Sequence, residues 1–174
     1  MATETLRPDA VGDKSFLDVN GDTPAWKCVD ETPSDDDATY VSAPGAAASD
    51  LYNIEATAIP DDATIDQIQV YNNSKKVGAR ACYTQVGIKT GGVEYWTANK
   101  ALTAAYALYN NIWLINPQTL VAWTKADINA LQLGVYLSFN IGTYGCCTQV
   151  WVVVTYTPAA GGAVLKRLLV GVGL

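Results

Sequence analysis

The sequence predicts an all-β chain, an antiparallel β-sandwich of jelly-roll type with one short helix and a C-terminal extension. Three observations carry this reading. Ten Tyr and five Trp, with many Val and Thr, favour pleated strands over helices. Apolar and polar residues alternate in short runs spaced roughly 8–12 residues apart, the rhythm of a sandwich. Fourteen Gly and seven Pro suit the many turns such a fold needs. The chain is 49% hydrophobic and 16% charged, enough for a sizeable core and too weakly charged for disorder.

Residues 1–158 read as one sandwich domain, of which 1–50 is loop-rich with one short strand at 40–42. "LYNIEATAIP" alternates and stops at Pro60, and "PDDAT" is a turn. "TIDQIQVYNNS" puts Ile65, Gln67, Gln69 and Tyr71 on one side and Asp66, Ile68 and Val70 on the other. "RACYTQVGIKTGGVEYWTA" reads as a hairpin about Gly91-Gly92, and "YALYNNIWLINP" as a strand ended by Asn116-Pro117. "WTKADINALQLG" predicts the helix, over 125–131. Thr124 is its N-cap, Asp127 stands three residues on, and Ile128 and Leu131 form its apolar face. "VYLSFNI" is a strand and "GTYG" a turn. "CCTQVWVVVTYTP" is the longest strand, apolar on both faces and therefore expected to be covered on both sides.

Charge is unevenly placed. Residues 1–66 hold fifteen of the seventeen acids but only three of the eleven bases. Either acidic loops face a basic sheet within one molecule, or complementary patches meet between subunits. No run approaches the ~18 apolar residues of a membrane span, and no secretory leader is visible. A membrane role is not expected, nor is nucleic-acid binding by an acidic chain without a basic stripe.

Chemistry finds little footing. The chain has no His, so no Ser-His or Cys-His pair exists. Glu55 and Glu94 could serve as paired carboxylates, but nothing marks them. Neither an enzyme nor a cofactor is expected. Cys28, Cys82, Cys146 and Cys147 lack zinc-site spacing. Cys146 and Cys147 are adjacent on a strand, so at most one is expected in the core; one disulfide is possible, without named partners. "DETPSDDDATY" is the densest carboxylate cluster. Asp35, Asp36 and Asp37 are its weak metal candidates, but the loop lacks the EF-hand pattern and reads as a solvated acidic turn. Trp26, Trp96, Trp113 and Trp123 are candidate sugar platforms. Trp96, just past the hairpin and beside Tyr95, is the best placed for a surface role.

"ETLRPDAVGD", "VDETPSDDDATYV", "IPDDATIDQIQVY", "NPQTLVAWTKADINALQLGV" and "CTQVWVVVTYTP" together resemble a family of small β-sandwich proteins encoded in tailed-phage and related viral genomes. The resemblance spans most of 4–158 and rests on turn and core patterns rather than catalytic signatures. It implies a non-enzymatic virion structural protein, assembled in the host cytoplasm. A capsid decoration protein is the form it implies first, with homo-oligomeric contacts and a major capsid protein or other virion component as partner. A carbohydrate-binding module, with glycan as partner, is the alternative. Residues 159–174 then form an arm. Val164, Leu165, Lys166, Arg167, Leu168, Leu169, Val170, Val172 and Leu174 make an apolar run suited to docking on a neighbouring polypeptide.

Overall fold

The computed structural model describes residues 1–159. Its strands are β1 (Ala2–Leu6), β2 (Pro8–Ser15), β3 (Asp18–Asn20), β4 (Tyr40–Ser42), β5 (Ala48–Ile54), β6 (Thr64–Val77) and β7 (Tyr83–Thr90), then β8 (Val93–Trp96), β9 (Lys100–Ala101), β10 (Ala107–Trp113), β11 (Gln132–Leu137), β12 (Phe139–Asn140) and β13 (Thr143–Thr157). One α-helix, α1, covers Lys125–Asn129. All strand pairings are antiparallel. The first sheet runs β10-β6-β13-β4-β3, with β1 and β12 also on β13; the second runs β2-β5-β11-β7-β8, with β9 on β7. The chain is thus the jelly-roll-like antiparallel sandwich that its alternation predicts.

The inner faces make one core. Ile68, Val70, Val150, Val152 and Val154 from the first sheet meet Tyr52, Val86, Ile88, Leu133 and Val135 from the second. Each such side chain contributes about 1.5–3 kcal/mol by leaving water. The arms of the 91–92 hairpin match the expected strands, and both glycines hold left-handed backbone, φ +56° and +83°, as a tight turn with the sheet's own twist requires. The helix begins as expected. Thr124 accepts the Asp127 N–H, and the Asp127 carboxylate accepts the Thr124 N–H, a complete capping box worth about 1 kcal/mol. It ends at Asn129, two residues early, because Gln132 already pairs with β5 and β7.

Several expectations are corrected. The N-terminal segment is strand-rich: β1 pairs with β13 and β2 with β5, so residues 2–15 supply strands to both sheets. Ile65 points inward, because the β6–β13 register shifts between Gln67 and Ile65. Thr143 and Gly145, read as turn, already belong to β13. That strand is central in its sheet, but Trp151, Val153 and Thr155 on its outer side are only partly buried, so among the described residues no second layer covers it there. Cys146 and Cys147 are both fully buried. As their adjacency on a strand implies, only Cys147 lies in the core, and Cys146 faces outward beneath Tyr106. All four thiols are free. The arm residues 164–174 lie outside the described residues.

Candidate functional site

Tyr95 and Trp96 are neighbours on β8, so the pleat sends them to opposite faces. Tyr95 packs against the core, and its hydroxyl donates to Gln118 Oε1 at 2.6 Å. It is no part of a surface platform. Trp96 goes outward and lies flat across the second sheet. A Cβ at Gly87 would stand 2.3 Å from Trp96 Cε3, and one at Gly134 2.7 Å from Cη2. Those two glycines face each other on β7 and β11, and they form the seat on which the indole rests. Leu51, the β5 partner of Gly134, is fully buried beside the ring tip.

The indole is also fixed at its polar edge. Its Nε1 donates to Glu94 Oε2 at 3.0 Å, and Lys14 Nζ reaches the same oxygen at 2.7 Å. The Lys14 hydrogen bond is the first cause holding the Glu94 carboxyl below its ordinary range, with the Trp96 bond adding to it. Asp13 pairs with Lys89, and its N–H donates to Gln132 Oε1 at 3.2 Å. A kink in β2 thus carries residues 12–14 over the sheet, between β5 and β8. Along the outward face, Gln85 and Tyr136 flank Trp96 at one end; Lys89 and Gln132 flank it at the other. Gln85 Nε2 donates to Asn99 Oδ1 at 2.8 Å. Among the described residues no ring or cation stacks on the outer face of Trp96, and no enclosed pocket forms. The arrangement is an open, rigid aromatic plane rimmed by amide, hydroxyl and charged groups.

The other tryptophans serve packing. Trp123 is buried and donates to the Trp113 carbonyl at 3.1 Å. Trp26 and Trp113 pack on the core. Trp151 stands on the outer side of the first sheet, stacked on Tyr71 with centroids 4.9 Å apart and planes 5° from parallel. Arg7 lies over the Trp151 ring, 5.7 Å from its centroid.

The acidic candidates separate rather than converge. Asp35 accepts from Thr39 at 2.8 Å and Thr148 at 3.2 Å. Asp36 accepts from Ser34 at 2.8 Å. Asp37 pairs with Lys75 at 2.5 Å, whose hydrogen bond lowers its pKa. Short polar side chains and one lysine satisfy these carboxylates separately, so they do not make a ligand set. Glu94 is engaged at Trp96, and Glu55 accepts the Arg7 N–H at 3.1 Å, so each carboxylate is occupied in its own contacts.

Sequence reasoning missed the glycine seat. Gly87 in "TQVGIKT" and Gly134 in "LQLGVYL" interrupt strand patterns, which signals close approach of another group to the backbone. Gly134 reads instead as closing the helix or opening the strand after it.

No family model and no curated protein matches this sequence. Among solved structures the chain is similar to one described as "CBM4 structure and function", at 12% identity and TM-score 0.38, over 68% of this chain and 82% of that one. A second is the structure of TmCBM61 in complex with beta-1,4-galactotriose, at 12% identity and TM-score 0.43, over 84% and 86%. At such values neither likeness speaks to what this chain binds.

Proposed function

We propose that this chain is a non-catalytic carbohydrate-binding module whose platform is Trp96. One observation carries the reading: the indole is laid flat on Gly87 and Gly134, partly exposed, and among the described residues no ring or cation stacks on it. A flat, immobile ring matches the apolar face of a pyranose whose hydroxyls are equatorial. Gln85, Tyr136 and Gln132 supply the directional hydrogen bonds that fix a sugar's orientation. The ring needs no reordering on binding, so little entropy is lost on the protein side. Stacking on an aromatic face contributes about 1–3 kcal/mol in nucleic-acid examples, a guide to the scale here. Affinity electrophoresis against β-1,3-glucan, β-1,4-glucan, β-1,4-galactan and mannan tests the proposal. Retardation in one gel, lost in Trp96→Ala, supports it. Free migration in all four rejects platform binding of these neutral glycans.

A virion structural protein that assembles with its own copies and a capsid protein is the second reading. The observation that favours it is a run of exposed aliphatic residues between Leu108 and Val121. Assembly of the purified chain into large particles, with no glycan bound, would favour it over the first.

A further inference from the structure

We infer that a second copy of this chain packs on the aliphatic strip from Leu108 to Val121, about a two-fold axis. The strip is Leu108 (57% exposed), Ile112 (46%), Leu114 (65%), Ile115 (45%), Leu120 (72%) and Val121 (58%). Single exposed aliphatics are ordinary; six within fourteen consecutive positions are not. The strip is independent of the glycan reading, since it lies on β10 and the loop after it, not on the sheet face that carries Trp96.

The loop is built to hold these side chains out. The Asn116 N–H donates to the Val121 carbonyl at 2.9 Å, and the Leu120 N–H to the Asn116 carbonyl at 2.8 Å. Asn116 is itself buried and donates to Thr90 Oγ1 at 3.2 Å, which ties the loop to the hairpin. Leu120 has φ +60°. A bulky residue in left-handed backbone costs about 1 kcal/mol or more, and among the described residues little of its side chain is covered in return. Burial by a partner would offset that cost.

Charge selects the partner. From Ala101 to Thr124 there is no Asp, Glu, Lys or Arg, although the chain carries −6 overall. Two acidic copies repel over most of their surfaces and approach most easily where neither is charged. Near the ends of the strip the charges are compensated, Lys75 with Asp37 and Lys125 with Asp61. A two-fold contact places the same patch on both sides, and aliphatic surface is complementary to itself. Six aliphatic side chains, each close to half exposed or more, supply the apolar centre of such a contact, and a standard interface takes roughly 800 Å² per partner with its polar rim included. Strand addition is disfavoured, because Lys100 Nζ donates to the Asn110 carbonyl on β10, and a lysine at an edge blocks pairing. The contact is therefore between side chains, flank against flank.

Sedimentation equilibrium of the full chain, from about 1 to 100 µM, should show a monomer–dimer equilibrium. Leu114→Asp with Leu120→Asp should weaken it at least tenfold, because two carboxylates per copy would meet across the axis. Leu120→Asn suits left-handed backbone, so it should keep or raise the melting temperature while weakening the dimer; lost association there cannot be attributed to unfolding. A wild-type chain that stays monomeric at the highest concentration overturns the proposal. So does a double variant that dimerises as well as wild type. A monomeric wild type whose double variant melts markedly lower would show the strip covered within one chain, which also overturns it. Glycan retardation of the double variant should equal that of wild type, so failure of either reading leaves the other measurable.

Discussion

Each sheet carries a tryptophan on its outer face, and the two are held in opposite ways. Trp96 has glycines beneath it and, among the described residues, no ring or cation stacked on it. Trp151 has Tyr71 stacked on its ring and Arg7 over it as well. Both are partly exposed, so exposure alone does not distinguish them. Their neighbours do. Where the facing positions on β7 and β11 lack side chains, the ring lies down and offers its plane. Where the facing residue on β6 is an aromatic, the rings stand and use their planes on each other.

The contrast predicts separable effects, largest first. Trp96→Ala should reduce glycan binding at least tenfold, following the scale of a lost stack. It should shift the melting temperature by only a few degrees, since the ring lies outside the core. Trp151→Ala should do the reverse. It forfeits a stacked pair and a cation–π contact, about 2–3 kcal/mol of stability, and should leave binding within twofold. Affinity electrophoresis with thermal melts of both variants checks the pair, and equal binding losses would break the comparison.

Gly87→Ala is subtler. Its Cβ would sit 2.3 Å from the indole, so the ring must lift. Binding should fall severalfold with every ligand-facing side chain still present. Unchanged affinity would mean that the seat is irrelevant.

The Glu94 clamp gives a pH signature. Its folded pKa lies below the ordinary glutamate value, first because of Lys14. The clamp is therefore fully present above that ordinary value, about 4.3, and is lost only as pH falls through the lowered one. Binding should be flat from neutrality down to that ordinary value, about 4.3, and decline only below it. Glu94→Gln should flatten that decline. A wild-type decline already between pH 7 and 6 would exclude the clamp as its cause.

Thiol reactivity is the smallest effect and reports on packing alone. Burial pushes Cys146 up to about 11 and Cys147 up to about 12. A thiol that stays protonated and buried reacts slowly. Ellman's reagent at pH 8 should label almost none of the four cysteines in native protein and all of them in guanidinium. Rapid native labelling of Cys146 would mean that its Tyr106 cover opens.

Much of the fold was legible because alternation is a direct record of burial. The hairpin at Gly91-Gly92, the capping box at Thr124 and the long β13 all stood in the sequence. The N-terminal strands did not. "ATETL" pairs its backbone with β13, yet contributes one large apolar side chain, Leu6, so its pattern carries no hydrophobic signal. Ile65 was misplaced by a register shift, which no period-two reading can contain. Half of the site was legible: Trp96 could be named, but its partnership with Tyr95 ignored the pleat. Gly87, Gly134, Glu94 and Lys14 come from β7, β11, β8 and β2, and only the folded sheet brings them together.

The most direct test of the platform is tryptophan fluorescence titrated with the polysaccharide that retards the wild-type chain most. Three proteins are compared: wild type, Trp96→Phe and Trp151→Phe. Wild type should give a saturable shift, Trp151→Phe the same shift and midpoint, and Trp96→Phe no shift, with weaker residual binding. A shift that survives in Trp96→Phe and vanishes in Trp151→Phe would place the ligand on the other sheet and rule out the Trp96 platform.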